Sequence, residues 1–147
     1  MDIPAEISDS VFDQTPIKKG AIIKTEYRFS SGRERQKFFI ILNQHPQEDP
    51  LICVITTSQI DFYIKNPKFN IDTLTIAANS ISCFSKDTVV DCRQIYALTK
   101  NSVKVAFSKS AMTFAGELPD HLIEKIDNII KASLVISTTD KKKILGA

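Results

Sequence analysis

Hydrophobic positions along this chain change period more than once, and each change marks a different kind of element. Residues 1–17 show no period; they are polar, carry Pro4 and Pro16, and read as an irregular arm. From Gly20 the pattern is that of strands. "AIIKTEYRF" (21–29) starts apolar and then loosely alternates, as a strand with one exposed face does. "SSGRERQK" (30–37) reads as a charged loop, "FFIILN" (38–43) as a buried strand, and "QHPQEDP" as a turn. "LICVITT" (51–57) is the next strand, followed by "IDFYIKNPKFN", which Pro67 breaks into an irregular excursion. "IDTLTIA" (71–77) alternates in strict period two, and "SISCF" and "TVVDCRQIYAL" add further short strands. Some six strands at this spacing predict a small barrel or a curled sheet.

Near residue 118 the period becomes helical. Leu118, Leu122, Ile126, Ile129 and Ile130 follow spacings of four, four, three and one, which puts them on one stripe. Pro119 and Asp120 suit a first turn, where the proline loses no hydrogen bond and the carboxylate meets the positive end of the dipole. Glu124, Lys125, Asp127 and Lys131 take the solvent side. The tail, with Lys141, Lys142 and Lys143, reads as frayed. The expected organisation is an arm (1–17), one domain (18–134) and a tail (135–147).

Composition changes this picture little. The chain has 147 residues, 43% of them hydrophobic and 24% charged, which suits one globular domain. Four glycines leave little for a phosphate-cradling loop, and neither G-x-G-x-x-G nor G-x-x-x-x-G-K-[ST] occurs. The net charge of +2 permits a nucleic-acid partner without requiring one. The acidic N-terminus has no apolar core of a secretory signal, and no run approaches the roughly 20 residues that span a bilayer. A cytoplasmic location without membrane association is the expectation. Cys53, Cys83 and Cys92 lack C-x-x-C spacing and are expected to pack as small hydrophobes. His45 and His121 have no His or Cys neighbour at ligand spacing, so neither a metal nor another cofactor is expected.

One strand end raises a sharper question. Leu51 to Ile55 are apolar without a break, and Thr56, Thr57, Ser58 and Gln59 follow, three hydroxyls and an amide. Either the strand surfaces into a turn, or it delivers hydrogen-bonding groups to a site. The basic run Arg33-Glu34-Arg35-Gln36-Lys37 is open in the same way, as a solvated loop or an anion clamp. Phe62, Tyr63 and Phe69 beside Lys65 and Lys68 either stack bases or cover one end of the barrel. Asp91 and Arg93 share a strand face, as a surface ion pair or as part of a site.

The order of these elements resembles the MazF/PemK family of toxin–antitoxin systems, ribosome-independent endoribonucleases. "IKKGAII" looks like the family's opening lysine-glycine strand, and "GRERQKFFIILN" resembles its basic loop and second strand. "VITTSQ" is similar to its strand ending in Thr-x-Gln. "FSKDTVVDCRQIYAL" and "GELPDHLIEKIDNIIKA" resemble its later strand and terminal helix. The resemblance spans Lys18 to Ala132. It departs at Ala21, where the family has Asp, and at Gln36-Lys37, where the family has Arg-Pro with the arginine held to be catalytic.

The resemblance implies a β-dominated α+β fold, a small SH3-like barrel of MazF/CcdB type with a C-terminal helix. It implies a homodimeric, metal-independent, sequence-selective endoribonuclease acting on single-stranded RNA and neutralised by a cognate antitoxin. By the same resemblance Arg35 and Thr57 are the catalytic candidates, with Arg33 or Lys37 able to replace Arg35 in clamping phosphate. Arg33, Lys37, Thr56, Ser58, Gln59 and Arg93 are the RNA-binding candidates. An arginine fork matches two phosphate oxygens, and a threonine hydroxyl adds a donor that fixes the phosphate in line. Two other classes stay open: a barrel that binds RNA or protein without cleaving, and a toxin acting on a protein target, as the related CcdB fold does.

Overall fold

The computed structural model describes residues 18–28, 34–44, 50–58, 60–66 and 72–146. The arm, His45, Lys68 and Phe69 lie outside them. The chain is α+β and dominated by strands: β1 (Ala21–Arg28), β2 (Glu34–Ile41), β3 (Leu51–Thr57), β4 (Thr73–Ile76), β5 (Thr88–Leu98) and β6 (Met112–Glu117). They form one six-stranded antiparallel sheet in the order β4-β5-β3-β2-β1-β6. Four helices accompany it among the described residues: α1 (Asp61–Lys65), α2 (Lys100–Ser108), α3 (Asp120–Ala132) and α4 (Thr138–Leu145).

Both faces of the sheet are covered, which explains the unbroken apolar runs. Ile22, Ile40, Ile52, Val54 and Val90 face one cluster that Ile126 and Ile130 of α3 and Ile144 of α4 complete. Ile23, Phe39, Ile41, Leu51 and Cys53 face a second cluster, closed by Val103 of α2 and Met112 of β6. A strand buried on both faces has no position to spare for polar residues, so "FFII" and "LICV" do not alternate. The α3 stripe is buried at Ile126 and Ile130, 1% and 0% exposed, while Leu118 lies ahead of the helix, which begins at Asp120 after Pro119. No helix among the described residues is long and apolar enough to cross a membrane.

Four expectations need correction. The charged loop is shorter than "SSGRERQK", because β2 already begins at Glu34 and Arg35 pairs with Tyr27. "IDFYIK" holds the short helix α1 rather than an irregular excursion. "SISCF" is not a strand; Ile81 and Phe84 enter the core from a turn, 8% and 3% exposed. A strand appears instead at β6, reached through α2, whose start is capped by Thr99 accepting from Ser102 N at 3.2 Å. The tail is helical, not frayed. Ser137 caps α4 by accepting from Asp140 N at 3.1 Å, and Gly146 ends it in the left-handed conformation, φ 78°. Lys141 Nζ donates to the carbonyls of Lys131 and Ser133 at 3.1 and 2.7 Å, satisfying the C-terminal end of α3.

Candidate functional site

The β2–β3 ladder pairs Phe39 with Ile55 and Ile40 with Val54. Continued two residues toward the start of β2, that register brings Phe38 beside Thr56 and Lys37 beside Thr57. The basic start of β2 and the hydroxyl end of β3 therefore meet at one end of the sheet. Both line a cavity of about 260 Å³, together with Ser58 and the segment Cys83–Thr88.

Aromatic rings line part of this cavity and its remaining lining is polar. Phe38 and Phe84 pack edge to face, centroids 5.2 Å apart and planes at 82°. Thr56 and Thr88 are buried, 3% and 4% exposed, and Thr88 Oγ1 donates to the Lys86 carbonyl at 2.9 Å. Strand alternation separates the two threonines of β3. Thr56 pairs with Val90 and shares its face, whereas Thr57 pairs with Val89 and lies on the face of Ile55 and Asp91. Lys37 and Lys86 also line the cavity, and Ser58 and Lys86 are exposed. Cys83 also lines it, and burial pushes its thiol pKa up. An arrangement of two cations and several hydroxyls around a pocket of this size is suited to an anion such as a phosphate.

A second polar cluster forms where β5 loses its regular register. Cys53 pairs with Tyr96 but Ile55 pairs with Asp91, so β5 carries extra residues between these pairs and bulges. The same bulge inverts the strand's faces: Cys92 packs in the first cluster, as does Ile95, while Tyr96 packs in the second. Asp91 serves the bulged backbone, because its Oδ1 accepts from Arg93 N at 3.0 Å. It also takes the guanidinium as a fork, Nε to Oδ1 at 3.0 Å and Nη2 to Oδ2 at 2.7 Å. Tyr63 of α1 donates its hydroxyl to Oδ2 at 2.8 Å, and the Arg93 guanidinium lies 5.9 Å from the Tyr63 ring centroid. Burial pushes the Asp91 carboxyl up, but the Arg93 side-chain and backbone donors and the Tyr63 hydroxyl outweigh it, so its pKa falls below the ordinary value. Tyr63 is pushed up to about 12, by burial first and then by its bond to Asp91.

Of the residues singled out in the sequence, Lys37, Thr56, Thr57 and Ser58 come together in the cavity. Arg93 is engaged with Asp91 on β5. Arg35 has its place in the β1–β2 ladder, and Arg33 and Gln59 lie outside the described residues. Lys86 and Thr88 escaped the sequence reading, although "KDT" between a turn and a strand is a compact polar signal. Tyr63 is a half-buried hydrogen-bonding residue, while Lys65 beside it is exposed. Cys53 and Cys92 are buried in the two clusters, with burial pushing both thiols up to about 12. No group of three His, Cys, Asp or Glu side chains among the described residues is placed to hold a metal ion. No family model matches the chain, and no curated protein matches it.

Proposed function

We propose that this chain is a toxin of MazF/PemK type that binds single-stranded RNA and cuts it without a metal ion. The observation that carries the reading is the meeting of Lys37 and the Thr56–Ser58 hydroxyls at one cavity with Lys86. Two register shifts support a sheet curled toward an SH3-like barrel, one in the β1–β6 ladder at Ile22/Ile23 and one in the β3–β5 ladder at Cys53/Ile55. In the reaction the ribose 2′-oxygen attacks the adjacent phosphorus and loses its proton. The 5′-oxygen leaves and gains a proton, and a 2′,3′-cyclic phosphate remains. The lysines and Arg35 would balance the phosphorane's charge, and the Thr57 hydroxyl would hold the phosphate in line. A homodimer and a cognate antitoxin belong to the same reading.

A second reading has a specific observation behind it. The described lining of the cavity contains neither carboxylate nor imidazole, the usual groups that move protons near neutral pH. A barrel that binds RNA without cleaving it fits that lining.

Purified protein titrated with oligouridylate at several salt concentrations tests both. Binding should weaken linearly on a log–log scale, and Lys37→Ala should flatten the slope by about 0.7, one phosphate contact to a single strand. Incubation with RNA in EDTA should release cyclic-phosphate ends. Binding without such ends selects the non-cleaving module, and an absence of salt-dependent binding refutes the RNA reading.

A further inference from the structure

We propose that Asp91 is a positioning residue, which pins α1 to the sheet through Tyr63 and thereby fixes Thr57 and Ser58 at the mouth of the cavity. Its consequence for ligand binding rests on the RNA reading above; the pinning itself does not.

Thr57 and Tyr63, on either side of one short segment, are both tied to β5. Thr57 closes β3 opposite Val89 of β5. Six residues later, Tyr63 returns to the same strand by donating its hydroxyl to Asp91 at 2.8 Å. Val89 and Asp91 are two residues apart and share a face, a separation of about 7 Å along a strand. Ser58 at the cavity thus lies between two ties to β5, one at Thr57 and one at Tyr63 of α1.

Little within α1 holds it in place. It has five residues, no side-chain cap at Ile60, and backbone bonds from Tyr63 N and Ile64 N to Ile60 O at 2.9 and 3.1 Å. A helix so short has no stability of its own and depends on tertiary contact. The contact offered is a rigid one. Asp91 is 8% exposed, and Arg93 fixes both of its oxygens through the guanidinium fork and the backbone N–H. The carboxylate's own orientation is thereby settled before Tyr63 binds it.

Charge alone argues the opposite way, and this makes the inference testable by sign. Asp91 places a negative group near a site proposed for phosphate, so neutralising it should tighten RNA binding if electrostatics were its only influence. As a positioning residue it should do the reverse.

The experiment uses the full chain and two variants, Tyr63→Phe and Asp91→Asn, with amide hydrogen exchange and oligouridylate binding as readouts. Tyr63→Phe removes one hydroxyl and keeps the ring, so it serves if Asp91→Asn does not fold. The amides of Tyr63 and Ile64 should exchange faster in both variants, while those of β1 and β2 keep their wild-type rates. Oligouridylate should bind about fivefold more weakly, the equivalent of about one lost hydrogen bond, with an unchanged salt slope in Tyr63→Phe. Unchanged exchange at Tyr63 and Ile64 overturns the pinning. Faster exchange with unchanged or tighter binding overturns the positioning role. A wild type that binds no oligonucleotide overturns the RNA reading alone, because the exchange decides the pinning without nucleic acid.

Discussion

Lys19 Nζ lies 2.9 Å from Asp127 Oδ1 and 2.6 Å from the Ile144 carbonyl oxygen, so one ammonium ties the turn before β1 to both α3 and α4. The bond to Ile144 is a hydrogen bond; the approach to Asp127 lacks that geometry and acts through charge. Both side chains are largely withdrawn from solvent, 14% and 28% exposed, so the pair is screened less than a surface pair. Lys19→Met keeps the aliphatic stem but strands Asp127 and the last turn of α4. It should lower the denaturation free energy by about 1–3 kcal/mol, read from chemical unfolding at neutral pH.

Both C-terminal helices should depend on one buried isoleucine each. Ile126→Ala deletes a side chain 1% exposed in the first cluster and should cost about 2–5 kcal/mol. Ile144→Ala, at 0% exposure, should cost a similar amount, although it sits in an eight-residue helix that would be marginal in isolation. Equal melting of wild type and Ile144→Ala would mean that α4 is undocked in solution.

These residues also show what the sequence conceals. Ile126 belongs to a five-residue stripe, and such a stripe has a period. Ile144 is the buried residue of a helix whose other positions are threonines, lysines, Asp140 and the terminal Leu145, so no period exists to be read. "FFIILN" and "LICVITT" are legible because burial on both faces writes itself as an unbroken apolar run. The exchange of "SISCF" for "MTFAGE" as the sixth strand has a different cause. Ile81 and Phe84 fill the core from a turn, and an apolar residue in a turn looks like one in a strand. The bulge is the least legible feature, because the parity of β5 inverts between Cys92 and Ile95 with no glycine or proline to mark it. Lys37 and Thr57 were legible as a pair because a short turn between two strong strands forces antiparallel pairing. Lys86 and Thr88, which join them, come from β5 and its approach, distant in the chain.

The Asp91 cluster should impose two limits on stability. Asp91 has a depressed pKa, so its contribution is present above the ordinary carboxylate value of about 3.9 and is lost as pH falls through the lower folded value. Tyr63 has the opposite sign. Its pKa is raised to about 12, so its contribution is present below the ordinary tyrosine value of about 10 and is lost as pH rises toward 12. Unfolding of wild type and Tyr63→Phe should therefore differ at neutral pH and converge above the folded Tyr63 value. A difference that stays constant through that range would separate Tyr63 from Asp91.

Thiol labelling should report the cavity directly. Cys53 and Cys92 are 0% exposed with thiols pushed up to about 12, so neither presents a thiolate to reagent in the folded chain. Cys83 lines the cavity and is half-buried. A disulfide reagent should modify one thiol slowly under native conditions and all three after unfolding. Oligouridylate should slow the native reaction if it occupies the cavity, and labelled protein should bind oligouridylate more weakly. Rapid native reaction of all three thiols would contradict the packing of both clusters.

The last expectation separates the two threonines on which the functional reading turns. Thr56 is 3% exposed on the face of Val90, and Thr57 is half-buried on the opposite face. Thr→Val keeps shape and removes the hydroxyl at either position. At Thr56 the change removes a buried hydroxyl, and the effect should be on melting, with cleavage following only through loss of folded protein. If the Thr57 hydroxyl holds the phosphate in line, cleavage should slow by about 10- to 100-fold while oligouridylate affinity is kept, on the order of a lost charge-stabilising donor. Single-turnover cleavage beside equilibrium binding distinguishes these effects. Thr57→Val cutting at the wild-type rate would remove the hydroxyl from the chemistry and leave Lys37, Lys86 and Arg35 to account for it.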